Sequence, residues 1–180
     1  METPDEGILT DVRAAMAGNG DAYARIIRRY QPAFARRMVR FTRDRAAVEE
    51  LVHDVFVEAY YSLEKYRGDA PFEHWLQRIA TRVGYRYWKR RRDRTVPLSE
   101  ETISVAVSDN SRNAAADAVA VLEQLPPRDR LVLTLLYLES RSVAEAADLA
   151  GWSQTMIKVQ AYRARHKLRK LLTESRDSEK

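Results

Sequence analysis

The stretch from Ser142 to Leu168 constrains the chain most. Ser142 can cap a helix, and Glu145 three residues on completes the reciprocal arrangement in which each side chain satisfies the other's backbone N–H. The helix predicted over Val143–Ala150 stops at Gly151, a residue that takes the left-handed conformation without a Cβ penalty. Ser153 can cap a second, longer helix predicted to run to about Leu172. Two helices joined by a short turn containing glycine are the helix-turn-helix plan. At about 100° per residue, Ile157, Ala161, Ala164 and Leu168 share one face and are expected to pack inward. The opposite face carries cations and hydrogen-bonding groups. Lys158, Arg163 and Arg165 can neutralise phosphates. Ser153, Gln154, Thr155, Lys158 and Tyr162 can reach base edges, and Val159 can touch a thymine methyl. A plain helical hairpin with a solvated basic face is the competing reading. The cap, turn glycine, inward stripe and basic outer face agree with one another, which favours DNA recognition.

The rest of the chain reads as helical too, so the expected fold is all-α. Tyr23, Ile26, Ile27 and Tyr30 recur at helical spacing, and Pro32 is predicted to open a new helix carrying Phe34, Met38 and Phe41. Asp44 can cap a helix with Val48, Leu51, Val52, Val55, Phe56 and Ala59 on its apolar side. Lys65–Pro71 is a break, and a helix from Phe72 carries Trp75, Leu76 and Ile79 into the basic run Arg86–Arg94. Near the middle, Thr95–Asn113 loses helical period. Ile103–Val107 alternates like a strand, but a lone strand has nothing to pair with, so the segment is taken as linker. Val119, Leu122 and Leu125 form a short stripe ended by Pro126-Pro127, and Arg128–Leu138 is predicted as one apolar helix. Three parts result: a helical domain over 1–94, an acidic flexible linker over 95–116, and a helix-turn-helix domain over 117–180.

Charge follows the same division. The whole chain of 180 residues carries +5, but residues 1–94 hold 19 basic and 14 acidic side chains, residues 95–127 one basic and five acidic, and residues 128–180 eleven basic and seven acidic. Two basic bodies with an acidic connector fit two contacts on a polyanion. The helix from Arg78 to Arg94 interleaves Tyr85, Tyr87 and Trp88 with Arg82, Arg86, Lys89, Arg90 and Arg91. Cations that track a phosphate backbone beside rings that stack on bases suit single-stranded DNA. Core packing explains Trp75 and Ile79 as well, and for Tyr85, Tyr87 and Trp88 both roles stay open. Glu50, Asp54 and Glu58 make an acidic stripe at four-residue spacing, which suits a basic protein partner or, more simply, solvent.

Other classes fit poorly. With no cysteine in the chain, neither a disulfide framework nor a thiolate metal site can form. His53, His74 and His166 lie on separate elements without metal-ligand spacing, no glycine cluster forms a phosphate loop, and no cofactor is expected. No run approaches the roughly 18 apolar residues of a membrane span, and the acidic start lacks a secretion-signal pattern, so a cytoplasmic location is expected.

Taken together these motifs resemble the extracytoplasmic-function (ECF) sigma factors of bacterial RNA polymerase. The first body is similar to the family's region 2, through Tyr30-Gln31-Pro32, Glu50–Phe56, Tyr66–Leu76 and Arg78-Ile79-Ala80. The second is similar to region 4, through Leu125–Arg130 and Arg163–Leu168. The resemblance implies a transcription-initiation factor rather than an enzyme. It implies that Glu50, Leu51, His53, Asp54, Phe56 and Glu58 meet the clamp helices of the largest subunit of core RNA polymerase. It implies that Tyr66, Arg67, Asp69 and Phe72, with Arg82, Tyr85, Arg86, Lys89, Arg90 and Arg91, capture and melt the −10 element of promoter DNA, while the helix-turn-helix reads the −35 element. The linker would thread the polymerase cleft, and an anti-sigma factor, membrane-anchored in some systems, is the expected regulator. Departures from the family pattern are Arg82 in place of a usual Asn, Arg86 in place of a common Asp, and His53 in place of Gln. The alternative is a stand-alone repressor or activator, which would bind a symmetric duplex operator tightly without polymerase.

Overall fold

A computed structural model describes residues 4–94 and 120–177, and among these every regular element is helical. The linker reading falls on residues outside the described ones, as does Val119. The chain divides into two compact units, Met1–Trp88 and Lys89–Lys180.

The first unit opens with α1 (Pro4–Met16), a helix upstream of the predicted ones. Its signal is short but legible: Ile8, Val12 and Ala15 lie three and four residues apart and are buried. Gly18, at φ 90°, turns the chain. Asn19 then caps α2 (Gly20–Met38), accepting from the N–H of Ala22 at 3.0 Å. α2 corrects one expectation, because Pro32 lies inside it and begins no new helix. A proline in a helix interior costs about 3 kcal/mol. Here packing outweighs it: Tyr30 and Phe34 on either side are both buried, Tyr30 against Phe72 and Phe34 against Phe56, while the Pro32 ring is exposed.

Asp44 caps α3 (Arg45–Tyr61) as predicted, accepting from the N–H of Ala46 at 3.0 Å. A single 3-10 turn, Leu63–Lys65, leads to the loop before α4 (Phe72–Arg94). On α4, Leu76, Ile79, Ala80 and Val83 are buried one turn after another. Gly84 follows them because the Phe41 ring lies where its Cβ would stand. Trp88 closes this corner. Its ring centroid is 4.6 Å from that of Phe41, and its indole N–H donates to the Phe41 carbonyl at 2.7 Å. Trp88 is therefore core, which settles one of the two roles left open for it.

In the second unit, residues 120–123 are helical, and Leu122 and Leu125 pack with Leu133 and Ala164. The predicted helix Arg128–Leu138 is corrected as well. α5 covers only Pro127–Leu133, and Thr134–Leu138 form a wider π turn closed by the Glu139 N–H on the Thr134 carbonyl at 2.9 Å. Burial runs unbroken from Leu131 to Leu135, too broad a face for one stripe of an amphipathic α-helix. The chain then passes through Ser140, at φ 51°, into α6 (Val143–Ala150) and α7 (Gln154–Asp177), the latter a turn longer than expected.

Candidate nucleic-acid and polymerase interfaces

The helix-turn-helix forms from the signals that predict it. The Ser142 hydroxyl accepts from the Glu145 N–H at 3.2 Å, and the Glu145 carboxylate accepts from the Ser142 N–H at 2.9 Å. The Ser142 hydroxyl also donates to the Glu145 carboxylate at 2.7 Å, and this bond first, then that from the Ser142 N–H, holds the Glu145 carboxyl below its ordinary pKa. Gly151 ends α6 at φ 70°, and the Ser153 hydroxyl accepts from the Met156 N–H at 3.1 Å. On α7, Ile157, Ala161 and Ala164 are buried. Ser153, Gln154, Thr155, Lys158, Val159, Tyr162, Arg163 and Arg165 are all exposed. Tyr162, at 69% exposure, projects furthest into solvent of the apolar or aromatic side chains on this face. Arg165 leans back, donating to the Tyr137 hydroxyl at 2.8 Å.

One feature of this unit escapes the sequence. Asp129, on α5 and only 1% exposed, accepts from the Gln160 side-chain amide at 2.6 Å and from the Lys167 ammonium at 2.7 Å. Both partners lie on α7, so one buried carboxylate fixes the rotation and axial position of the helix that bears the exposed face. In the sequence Asp129 sits between Arg128 and Arg130 and reads as part of a charged surface; only the fold brings Gln160 and Lys167 to it.

The second surface combines the loop before α4 with α4 itself. Tyr66 is held in place, its hydroxyl donating to the Ala70 carbonyl at 2.8 Å and its ring 5.5 Å from Trp75 and 5.3 Å from Phe72. Arg67 and Asp69 are exposed beside Gly68, at φ 80°. Phe72 is corrected from contact residue to floor. It is 2% exposed, because it packs on Tyr30 and Trp75. Arg82, Lys89, Arg90 and Arg91 are exposed on α4, and Tyr85 is half-buried. Tyr87 donates to Thr42 at 3.2 Å. Arg86 is exposed and ion-paired with Glu58 on α3. A cavity of about 500 Å³ lies between this loop and α1.

The third surface is the outer face of α3. Glu50 and His53 are exposed, and Asp54 and Glu58 are partly so. The expectation for Leu51 and Phe56 is corrected, since both are buried and lie on the inward side of the helix. The sequence reading omitted Val57 and Tyr61, which are exposed on the acidic stripe's side, Tyr61 at 82%. Their seven- and eleven-residue offsets from Glu50 are the signal that could have found them. Among the described residues no group of His, Asp or Glu is placed to hold a metal ion, and no helix is long and apolar enough to cross a membrane.

Comparison with known proteins gives these surfaces a context. A family model described as Sigma-70 region 2 matches residues 26–94, and one described as Sigma-70, region 4 matches residues 116–168. The RNA polymerase sigma factor CnrH of Cupriavidus metallidurans is 29% identical, with 92% of this chain and 93% of CnrH covered. The ECF RNA polymerase sigma-E factor of Escherichia coli is 25% identical, with 87% and 91% covered. A probable RNA polymerase sigma factor of Xanthomonas campestris, RfaY, is 29% identical over 98% of this chain, which spans 47% of that relative's length. The solved structure of CnrH with the cytosolic domain of CnrY has a TM-score of 0.59 at 26% identity, covering 93% of this chain and 98% of that one. The sigma factor RpoE of Bartonella quintana, solved with the anti-sigma factor NepR, shares the fold at a TM-score of 0.57 and 21% identity, covering 84% and 96%. With a region-2 unit carrying the loop and basic helix, and a region-4 unit presenting an exposed α7 face, the chain belongs to the ECF sigma factors, the subunits that give RNA polymerase its promoter recognition.

Proposed function

We propose that this sigma factor docks on core RNA polymerase through the outer face of α3, reads the −35 element with α7, and opens the −10 element with the 66–72 loop and α4. The observation that carries the division of labour is the exposed face of α7: Gln154, Thr155, Lys158, Val159, Tyr162 and Arg163, side chains suited to phosphates and base edges, are exposed on a helix whose Ile157, Ala161 and Ala164 are core. Its N-terminal turn, with Gln154 and Thr155, is the part of a recognition helix that meets bases. The stripe of Glu50, His53, Asp54, Val57 and Tyr61 mixes acids with exposed apolar groups, the composition of a protein contact rather than of a DNA contact. The factor acts by binding, in the cytoplasm where polymerase works. CnrH is solved with the cytosolic domain of a protein partner, which supports a regulator of the anti-sigma kind here, as the family resemblance implies.

Run-off transcription with core polymerase on genomic fragments tests the reading as a whole. Directional transcripts that require the chain are expected. Tight binding to a symmetric duplex without polymerase would instead identify a stand-alone regulator.

Two sets of substitutions test the residue assignments. Replacing Lys158 and Arg163 together with alanine is expected to lower the salt slope of −35 duplex binding by about 1.8, since each phosphate contact contributes about 0.9. Transcription from a cognate promoter at the parent level would remove both residues from the interface. Reversing Glu50 and Asp54 to lysine is expected to weaken holoenzyme assembly about tenfold or more, through loss of charge complementarity. Co-elution with core polymerase at the parent's affinity would move that contact elsewhere.

A further inference from the structure

We propose that the Glu58–Arg86 ion pair couples two events in the first unit: polymerase engages Glu58 on α3, and Arg86 on α4 is thereby released to a phosphate of the opened strand. The proposal rests on the docking and melting roles proposed above and joins them through two side chains.

Each residue belongs to a stripe of its own sign. Glu58 is the last of the acidic series Glu50, Asp54 and Glu58, at four-residue spacing on α3. Arg86 is the middle of the basic series Arg82, Arg86 and Lys89, at four- and three-residue spacing on α4. Residues so spaced share one face of a helix. The two stripes meet where the Arg86 guanidinium pairs with the Glu58 carboxylate. This contact depends on a departure from the family pattern, because an acid in the place of Arg86 would repel Glu58.

Within the pair, each side chain occupies the place of the other's external ligand. A basic side chain of polymerase that approaches the acidic stripe competes with Arg86 for Glu58. A phosphate that approaches the basic stripe competes with Glu58 for Arg86, whose planar fork accommodates phosphate as it does carboxylate. Either event opens the contact that opposes the other. The coupling is reciprocal: the factor by which polymerase raises strand affinity is the factor by which the strand raises polymerase affinity.

Exposure allows this exchange. The Arg86 side chain is 48% exposed and that of Glu58 35%, so both can be reached and rehydrated when the pair opens. A buried pair would stay locked, since removing one partner strands a charge away from water. The same exposure limits the size of the effect to about two- to fivefold in affinity, the range of a partly exposed ion pair. Val55 and Ala59 on α3, and Ile79 and Val83 on α4, are buried beside the pair. The helices are therefore held by the core, and the exchange takes place in the two side chains.

The probe is a fluorescent single-stranded oligonucleotide of the non-template −10 region, from a promoter located by run-off transcription. It is titrated at low salt, where phosphate contacts are strongest, with the free full chain and with holoenzyme reconstituted from it and core polymerase. In the free chain, Glu58→Gln is expected to bind the probe about two- to fivefold more tightly. Its salt slope should steepen by about 0.7, the single-strand value for one phosphate contact. On an Arg86→Ala background the same substitution should change neither quantity, which separates release of Arg86 from a general loss of negative charge. In holoenzyme the gain from Glu58→Gln should vanish, because polymerase already holds that carboxylate. Arg86→Ala should strengthen assembly with core polymerase by about two- to fivefold, although it removes a cation from the DNA-facing helix. Parent-like binding of the probe by free Glu58→Gln would overturn the coupling. Weaker binding would overturn it too, by showing that Glu58 aims Arg86 at the strand. A gain that persists on the Arg86→Ala background, or Arg86→Ala assembling at the parent's affinity, would likewise overturn it. Free chains that bind no probe at low salt would do the same, since a released Arg86 would then add nothing. All of these leave the sigma-factor reading intact while the parent assembles and transcribes; a parent that fails to assemble with core polymerase would overturn both.

Discussion

Gly84→Ala is expected to destabilise the first unit by about 1–3 kcal/mol, the ordinary cost of overpacking a closed core. Helix propensity alone gives the opposite sign, because alanine is favoured over glycine in a helix interior by about 1 kcal/mol, and Gly84 lies in the interior of α4. Packing decides the outcome. A Cβ at this position lands on the Phe41 ring, and the ring cannot easily yield. Trp88 packs on it at a tilt, and the same indole N–H donates to the Phe41 carbonyl at 2.7 Å. Displacing Phe41 would therefore disturb a buried hydrogen bond as well as an aromatic contact. Gly7→Ala in α1 is the control, since nothing stands within 4 Å of a Cβ there. It should stabilise by about 0.5–1 kcal/mol. Urea unfolding followed by circular dichroism distinguishes them: a rise in midpoint for Gly84→Ala would show that the corner has room.

Asp129→Ala is the second large effect, and it joins stability to recognition. The substitution removes the acceptor shared by Gln160 and Lys167. Lys167 is half exposed and can turn to water, whereas Gln160 is partly buried and loses its partner. Leaving one such donor unsatisfied costs about 1–3 kcal/mol. For a domain of this size, each kcal/mol lowers the melting temperature by roughly 4–8 °C. Asp129→Asn retains an acceptor for Gln160 while removing the charge opposite Lys167, so it should fall between parent and alanine variant. Duplex binding to the −35 element should weaken in the same order, because α7 is then free to shift over α5. Parent-like melting for Asp129→Ala would mean that the clamp contributes nothing. Equal −35 affinity in all three proteins would limit its role to stability.

The features legible in the sequence are those set by local chemistry. Ser142 with Glu145, Gly151, Ser153 and Asp44 each act within a few residues, so their caps and turns form as predicted. The inward stripe of α7 is equally local, since helical spacing alone sorts Ile157, Ala161 and Ala164 from Lys158, Tyr162 and Arg163. The misreadings share one cause. Pro32 is a strong local signal for a helix start, yet packing of Tyr30 and Phe34 on one core carries α2 straight through it. Leu51, Phe56 and Phe72 lie within motifs that resemble contact surfaces, but their place on the inward face makes them supports.

By itself the sequence determined that the described elements are helices, where the helix-turn-helix begins and turns, and which α7 side chains face outward. Helical period and capping act over one to three turns, and those distances are written in the order of residues. Only the tertiary structure decided that Asp129 would clamp Gln160 and Lys167, that Phe41 would occupy the place of a Gly84 side chain, and that α1 would close a cavity against the 66–72 loop. Each joins residues about 30 to 60 positions apart, where contact depends on how whole helices pack.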